Sequence, residues 1–227
     1  MKVLTTAIVA DIRNKLNGTV FAKNRYGLYA RTKVTPTNPQ SSYQQQNRAS
    51  FGNSSSGWKG LTQDQRNAWI AAAPNFPVID IFGNSHILAG NALYTKLNRN
   101  LDAAGQAPIS DPPAPVAIPP VTATGLTADV SSTEVNITFD TTSQPSGFTT
   151  VVYATPLILP SRLFVKNRLR QIGTAAIATS SANVYTIWNA RFGSLVAGNR
   201  ISVRVALVSN TTGQMGVPSE VTAIVSA

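Results

Sequence analysis

The chain has 227 residues, enough for two domains of ordinary size that each bury a core. A hydrophobic share of 43% excludes wholesale disorder, and the absence of cysteine excludes disulfides, a thiolate nucleophile and cysteine-based metal sites. The net charge of +10 is uneven, with twelve Lys/Arg against four Asp in residues 1–105 and seven against five acids in residues 106–227. The N-terminal half is therefore expected to make the electrostatic contacts, and a phosphate backbone, an anionic membrane surface or an acidic protein shell would each suit its field.

Residues 1–10 superficially look like a secretion signal, but Thr5 and Thr6 interrupt the apolar run and Asp11 and Arg13 follow at once, so the segment reads as a β-strand. No apolar run approaches the roughly 20 residues that span a bilayer, and no membrane partner is expected. Val20-Phe21 and Leu28-Tyr29 flank the turn Lys23-Asn24-Arg25-Tyr26-Gly27, which predicts a basic β-hairpin with Gly27 at positive φ. Seven cations against one acid in residues 1–33 exceed what solubility requires. Lys15, Lys23, Arg25, Arg31 and Lys33 are accordingly the candidate residues for docking on an acidic protein shell or another polyanion.

Pro36-Thr37-Asn38-Pro39 ends the strand and starts a helix, with Asn38 suited to cap it and Pro39 to its first position. Tyr43, Phe51 and Trp58 recur at helical spacing, yet Asn53-Ser54-Ser55-Ser56-Gly57 is poor helix material, and a weak or broken helix is expected before Trp58. Thr62-Gln63-Asp64-Gln65 matches a capping box, with Asp64 complementing the helix dipole, and the helix should run through Trp69 to Pro74. Trp58 and Trp69 lie among Leu61 and Ala72, which favours packing between helices over a stacking platform for nucleic acid bases. Val78-Ile79-Asp80-Ile81-Phe82 reads as a strand before a Gly83-Asn84 turn, and Leu93, Leu97 and Leu101 predict a last helix ended by Gly105. Residues 1–105 thus read as an α+β docking module.

Residues 106–120, with five prolines between Pro108 and Pro119 and a sixth at Pro120, read as a semi-rigid extended linker. From Val121 the pattern turns to period two, in Val135/Ile137/Phe139, Ile201/Val203/Val205/Leu207 and residues 221–225. Residues 121–227 are expected to form an all-β sandwich that looks like an immunoglobulin or fibronectin type III module without the cysteine pair of antibody domains. The run Arg162, Lys166, Arg168, Arg170 reads as a solvated hairpin face in preference to a binding loop.

Catalytic chemistry is sparse. His86 is the only histidine, the carboxylates are spread singly, and no phosphate-binding glycine loop, dinucleotide turn or nucleophile elbow is present. No enzyme activity, cofactor or metal is expected.

In Gly18-Thr19-Val20-Phe21, Gly27-Leu28-Tyr29-Ala30-Arg31, Thr37-Asn38-Pro39-Gln40, Gln46-Asn47-Arg48, Trp58-Lys59-Gly60-Leu61-Thr62 and Gln65-Arg66-Asn67-Ala68-Trp69, the chain resembles a group of tailed-bacteriophage proteins. They share a basic glycine-rich hairpin, an Asn-Pro turn, a Gln/Arg-rich helix and a W-x-x-L-T-x-x-Q-R-x-x-W core. The resemblance covers roughly residues 15–105. It implies a virion structural role like that of auxiliary or decoration capsid proteins, those of crAss-like and related phages being the nearest picture. The implied partners are the major capsid protein or other virion proteins, in a multicopy assembly on the capsid surface built in the bacterial cytoplasm. A tail or connector component is the alternative within virions, and a nucleic-acid-binding protein using the basic hairpin is the alternative outside them.

Overall fold

A computed structural model describes residues 13–24, 27–38, 40–80 and 82–227. The chain divides into two compact units, the first comprising the described residues up to Arg48 with Pro77–His86, the second Ala49–Phe76 with Ile87–Ala227. The expected strand at residues 1–10 lies outside the described residues, as do Arg25, Tyr26, Pro39 and Ile81.

The first unit holds two small antiparallel sheets. β1 (Asn14–Leu16), β2 (Thr19–Asn24) and β3 (Gly27–Thr32) form a meander in the order β1-β2-β3. The expected hairpin is β2 and β3, paired from Thr19↔Thr32 to Asn24↔Gly27, with Gly27 at φ +110°. β4 (Val78–Ile79) and β5 (Ser85–His86) form a short ribbon, closed by Asp80, whose Oδ1 accepts the Phe82 and Asn84 amides at 2.8 and 2.9 Å.

α1 (Ser42–Gly60) is one continuous helix, not the broken one that its Asn/Ser/Gly run predicts. Tertiary contacts override the weak propensity. The Ser50 hydroxyl donates to Asp102 of α3 (Gly90–Ala103), and Gly57 sits against the Tyr94 hydroxyl so closely that a Cβ there would clash with it. α2 (Gln63–Ala72) begins with the expected capping box: the Gln65 amide donates to Thr62 Oγ1 at 3.2 Å, and the Thr62 amide to Gln65 Oε1 at 3.1 Å. A short 3-10 turn at Ala73–Asn75 follows. Leu61, Trp69, Ala73, Phe76, Leu93, Tyr94 and Leu97 form one buried cluster between α2 and α3. Trp69 is fully buried, edge-on to Tyr94 at 5.3 Å between ring centroids, and its indole donates to the Ser110 carbonyl at 2.7 Å. α3 ends in a Schellman turn at Gly105 (φ +71°), with Gln106 N donating to Leu101 O and Gly105 N to Asp102 O.

The rest of the second unit has two antiparallel sheets sharing a core. β6 (Ala123–Asp129), β7 (Glu134–Phe139) and β10 (Ser181–Asn183) are ordered β10-β7-β6, and β8 (Phe148–Ala154), β9 (Arg170–Ala175), β11 (Arg200–Ser209) and β12 (Ser219–Ile224) are ordered β12-β11-β8-β9. Val135, Ile137 and Phe139 of β7 share that core with Val152 and Ala154 of β8 and Ile201, Val203 and Val205 of β11. The sandwich is not all-β as expected: α4 (Tyr185–Phe192) joins β10 to β11, burying Trp188, whose indole donates to the Thr155 carbonyl at 3.0 Å.

The compact units are not cut at residues 106–120, where the sequence reading sets the boundary, because the helices and the sandwich are packed together. The outer face of the four-stranded sheet presents Val151 and Val208, which pack with Ala103 and Ala104 at the end of α3. Asn100 of α3 donates to the Gly213 carbonyl at 2.8 Å. Gly213 has φ +69°, and a Cβ there would clash with Leu97 O, so both its conformation and the close approach require glycine. The proline-rich segment is fastened at both ends. Asn98 bridges it by accepting the Ile109 amide at 2.7 Å and donating to the Ile109 carbonyl at 3.2 Å, Trp69 holds Ser110, and the Val116 amide donates to Gln214 Oε1 at 2.7 Å.

Gly213→Ala is expected to destabilise the second unit by about 2 kcal/mol or more, through strain at positive φ and overpacking against α3. Trp69→Ala should destabilise it by about 3–5 kcal/mol. Denaturant melts followed at two wavelengths check both. In timed proteolysis with a broad-specificity protease, cuts within residues 33–38, which are exposed and irregular, should precede cuts within residues 106–120.

Candidate docking surface

The cations of the meander follow from its register. Lys15 pairs with Val20, and Val20 with Arg31, so these three residues form one row across the sheet and lie on the same face. Lys23 pairs with Leu28 and, being three residues on from Val20, falls on the opposite face with Phe21 and Ala30. Lys33 continues beyond β3, its amide donating to Gly18 O at 2.7 Å. Lys15, Lys23, Arg31 and Lys33 are all exposed. Arg25 lies outside the described residues. The structure therefore brings Lys15 and Arg31 together, and sets Lys23 apart from them across the sheet.

Apolar surface accompanies the charge. Val20 and Tyr29 share the Lys15–Arg31 face and are half-buried, while Leu16 on the other face is exposed. A shallow groove of about 540 Å³ runs along β1 and β2, lined by Arg13, Lys15, Val20, Phe21 and Lys23. Between Ile12 and Gln63 the sequence contains no Asp or Glu, so the described strands of the meander carry no acid of their own.

The residues of acid–base type are occupied elsewhere in structural roles. Asp64 sits in the first turn of α2. His86 Nε2 lies 2.8 Å from Asp80 Oδ2, the same aspartate that closes the β4–β5 turn. Asp129 accepts from the Ser131 hydroxyl at 2.6 Å, the Ser132 amide at 2.9 Å and the Ser226 hydroxyl at 2.8 Å, bonds that hold its carboxyl well below the usual range and tie the end of β6 to the C-terminal residues. Among the described residues no three His, Asp or Glu converge as metal ligands do. Trp69 is too deeply buried to stack on a base, and Trp58 packs on Tyr94 with centroids 5.6 Å apart.

Sequence reasoning passed over one exposed surface, the connection between β8 and β9. The sequence reading treats Arg162, Lys166, Arg168 and Arg170 as a solvated hairpin face, and only Arg170 falls within a strand. The others belong to a loop that also exposes Leu159, Leu163 and Phe164. Their mixture of large apolar residues and cations in Leu159-Pro160-Ser161-Arg162-Leu163-Phe164 was the available signal.

No protein-family model and no curated protein matches the chain. Among solved structures, the chain is similar to an Fn3-like protein from Clostridium thermocellum at 18% identity, with a TM-score of 0.30, over 49% of this chain and 97% of that one. So loose a superposition adds nothing to the strand orders given above.

If the Lys15–Arg31 row is the contact face, Lys15→Ser with Arg31→Ser should weaken retention on an immobilised polyanion more than Lys23→Ser does. The salt concentration at which each variant elutes measures this, and the first pair should elute at the lower salt.

Proposed function

We propose that the protein is a non-enzymatic structural component of a tailed-phage virion, an auxiliary or decoration protein that docks on the capsid through its basic N-terminal strands. The observation that carries this reading is the exposed row of Lys15 and Arg31 beside Val20 and Tyr29, within a 12–63 stretch free of acids. An acidic protein shell would complement it: charge steers the approach and the apolar residues between the cations hold the contact. The phage resemblance of residues 15–105 supports the same reading. So does the structural use made of Asp64, Asp80, His86 and Asp129, which leaves these groups engaged in caps and turns.

The β-sandwich belongs, on this reading, to the immunoglobulin or fibronectin type III type. Its strand orders support that assignment, since a three-stranded sheet made of the first, second and fifth strands faces a four-stranded sheet made of the rest. Such a module serves as a binding or spacer unit on the virion surface, and fold alone does not fix which.

The deciding experiment asks whether the chain sediments with intact virions, and in how many copies. Hundreds per particle are expected for capsid decoration, a dozen or fewer would assign it to tail or connector, and absence from particles would overturn the virion reading. On DNA-free capsids, replacing Lys15, Lys23, Arg31 and Lys33 with Ser should slow association by about tenfold while changing dissociation far less, the usual pattern for steering charges. Tight binding to duplex DNA, with a log–log salt slope of about 0.9 per phosphate contacted, would instead make the chain a nucleic-acid binder.

A further inference from the structure

The β8–β9 connection is pinned at two buried side chains, Ile158 and Val165, and the six residues between them form an exposed tip. Ile158 and Arg200 exchange backbone hydrogen bonds of 3.0 and 2.8 Å, the Arg200 guanidinium donates to the Arg162 carbonyl at 3.1 Å, and the Arg162 amide closes a turn onto Leu159 O at 3.0 Å. The tip is thus held by its backbone, yet Leu159, Leu163 and Phe164 are 70%, 81% and 66% exposed. Three large apolar side chains on one short, fastened excursion gain nothing from the fold that presents them, which marks a contact surface.

Charge narrows the partner. Arg162 lies within the tip and Lys166, Arg168 and Arg170 follow it, all exposed. No Asp or Glu occurs between Asp140 and Glu220, and Glu220 is engaged by Arg204 at 2.7 Å. An apolar tip with a collar of cations and no acid fits a surface that is anionic outside and apolar beneath, which describes a bilayer containing acidic phospholipids. A protein partner would need a pocket for three protruding side chains with several acids placed around it.

We propose that the 159–170 loop docks on an anionic phospholipid surface, with Leu159, Leu163 and Phe164 entering to headgroup depth and the flanking cations contacting lipid phosphates. The sequence expectation of no membrane partner rests on the absence of a spanning run, and peripheral docking needs none. The proposal goes beyond the virion reading and stands or falls separately from it.

The test uses the full chain with vesicles of phosphatidylglycerol and phosphatidylcholine, compared with phosphatidylcholine alone. Phe164→Trp should show a blue-shifted tryptophan emission on the anionic vesicles only. Leu163→Ser with Phe164→Ser should weaken vesicle binding by about tenfold or more, at an unchanged melting temperature, since both side chains are exposed. Lys15→Ser with Arg31→Ser should keep the blue shift. Absence of the shift, or equal vesicle binding by the Leu163/Phe164 variant, would overturn the proposal and leave any vesicle affinity to the N-terminal cations. If the same variant loses association with purified virions while no form of the chain binds vesicles, the loop's partner is an acidic protein surface and the lipid proposal is likewise overturned.

Discussion

The second unit depends on the approach of α3 to the turn between β11 and β12. Gly213 lets the Leu97 carbonyl come closer than any side chain allows, and Asn100 secures the contact by donating to the Gly213 carbonyl. Once that approach is made, the end of α3 covers Val151 and Val208 on the outer face of the sheet. This explains why β8 and β11 carry apolar residues on both faces, where a one-sided sheet would alternate. It also fixes Asn98 and Trp69 where they can hold Ile109 and Ser110.

The helical pair is therefore better described as a cap on the sandwich than as half of a separate docking module. The basic meander and the β4–β5 ribbon form their own unit, and the boundary passes through α1 at Arg48. The proline-rich segment forms neither helix nor strand, as its composition requires, but the backbone groups of Ile109, Ser110 and Val116 are bonded by side chains from α2, α3 and the β11–β12 turn. Proline content predicts the conformation of such a segment well. Whether it hangs free depends on distant residues such as Asn98 and Gln214, which no local pattern reveals.

What was legible in the sequence was local. The capping box at Thr62, the helix end at Gly105, the positive φ of Gly27 and the period-two burial of Val135, Ile137 and Phe139 each depend on neighbours within a few residues, and each formed as read. The unread features depend on long-range packing. α1 stays continuous because Tyr94 and Asp102 meet it, and α4 forms where Trp188 can reach Thr155 across the core. The five candidate cations looked like one set because spacing along a chain does not show which face a residue takes. The odd-numbered offset between Val20 and Lys23 places Lys15 and Arg31 on one side and Lys23 on the other.

The strand edges of the sandwich bear on how many copies can be crowded together. Just beyond the end of β12, Ser226 bridges to Asp129 of β6 and its amide donates to Ala128 O at 2.9 Å, and β10 is only three residues long. β9 is an outer strand of the four-stranded sheet, and its ladder with β8 is interrupted at Val152/Tyr153, opposite Gly173 at φ +153°. A bulged edge that starts at Arg170 is a poor template for another strand. Copies meeting along β9 would therefore find no template for a continuous sheet, and each would keep its own fold.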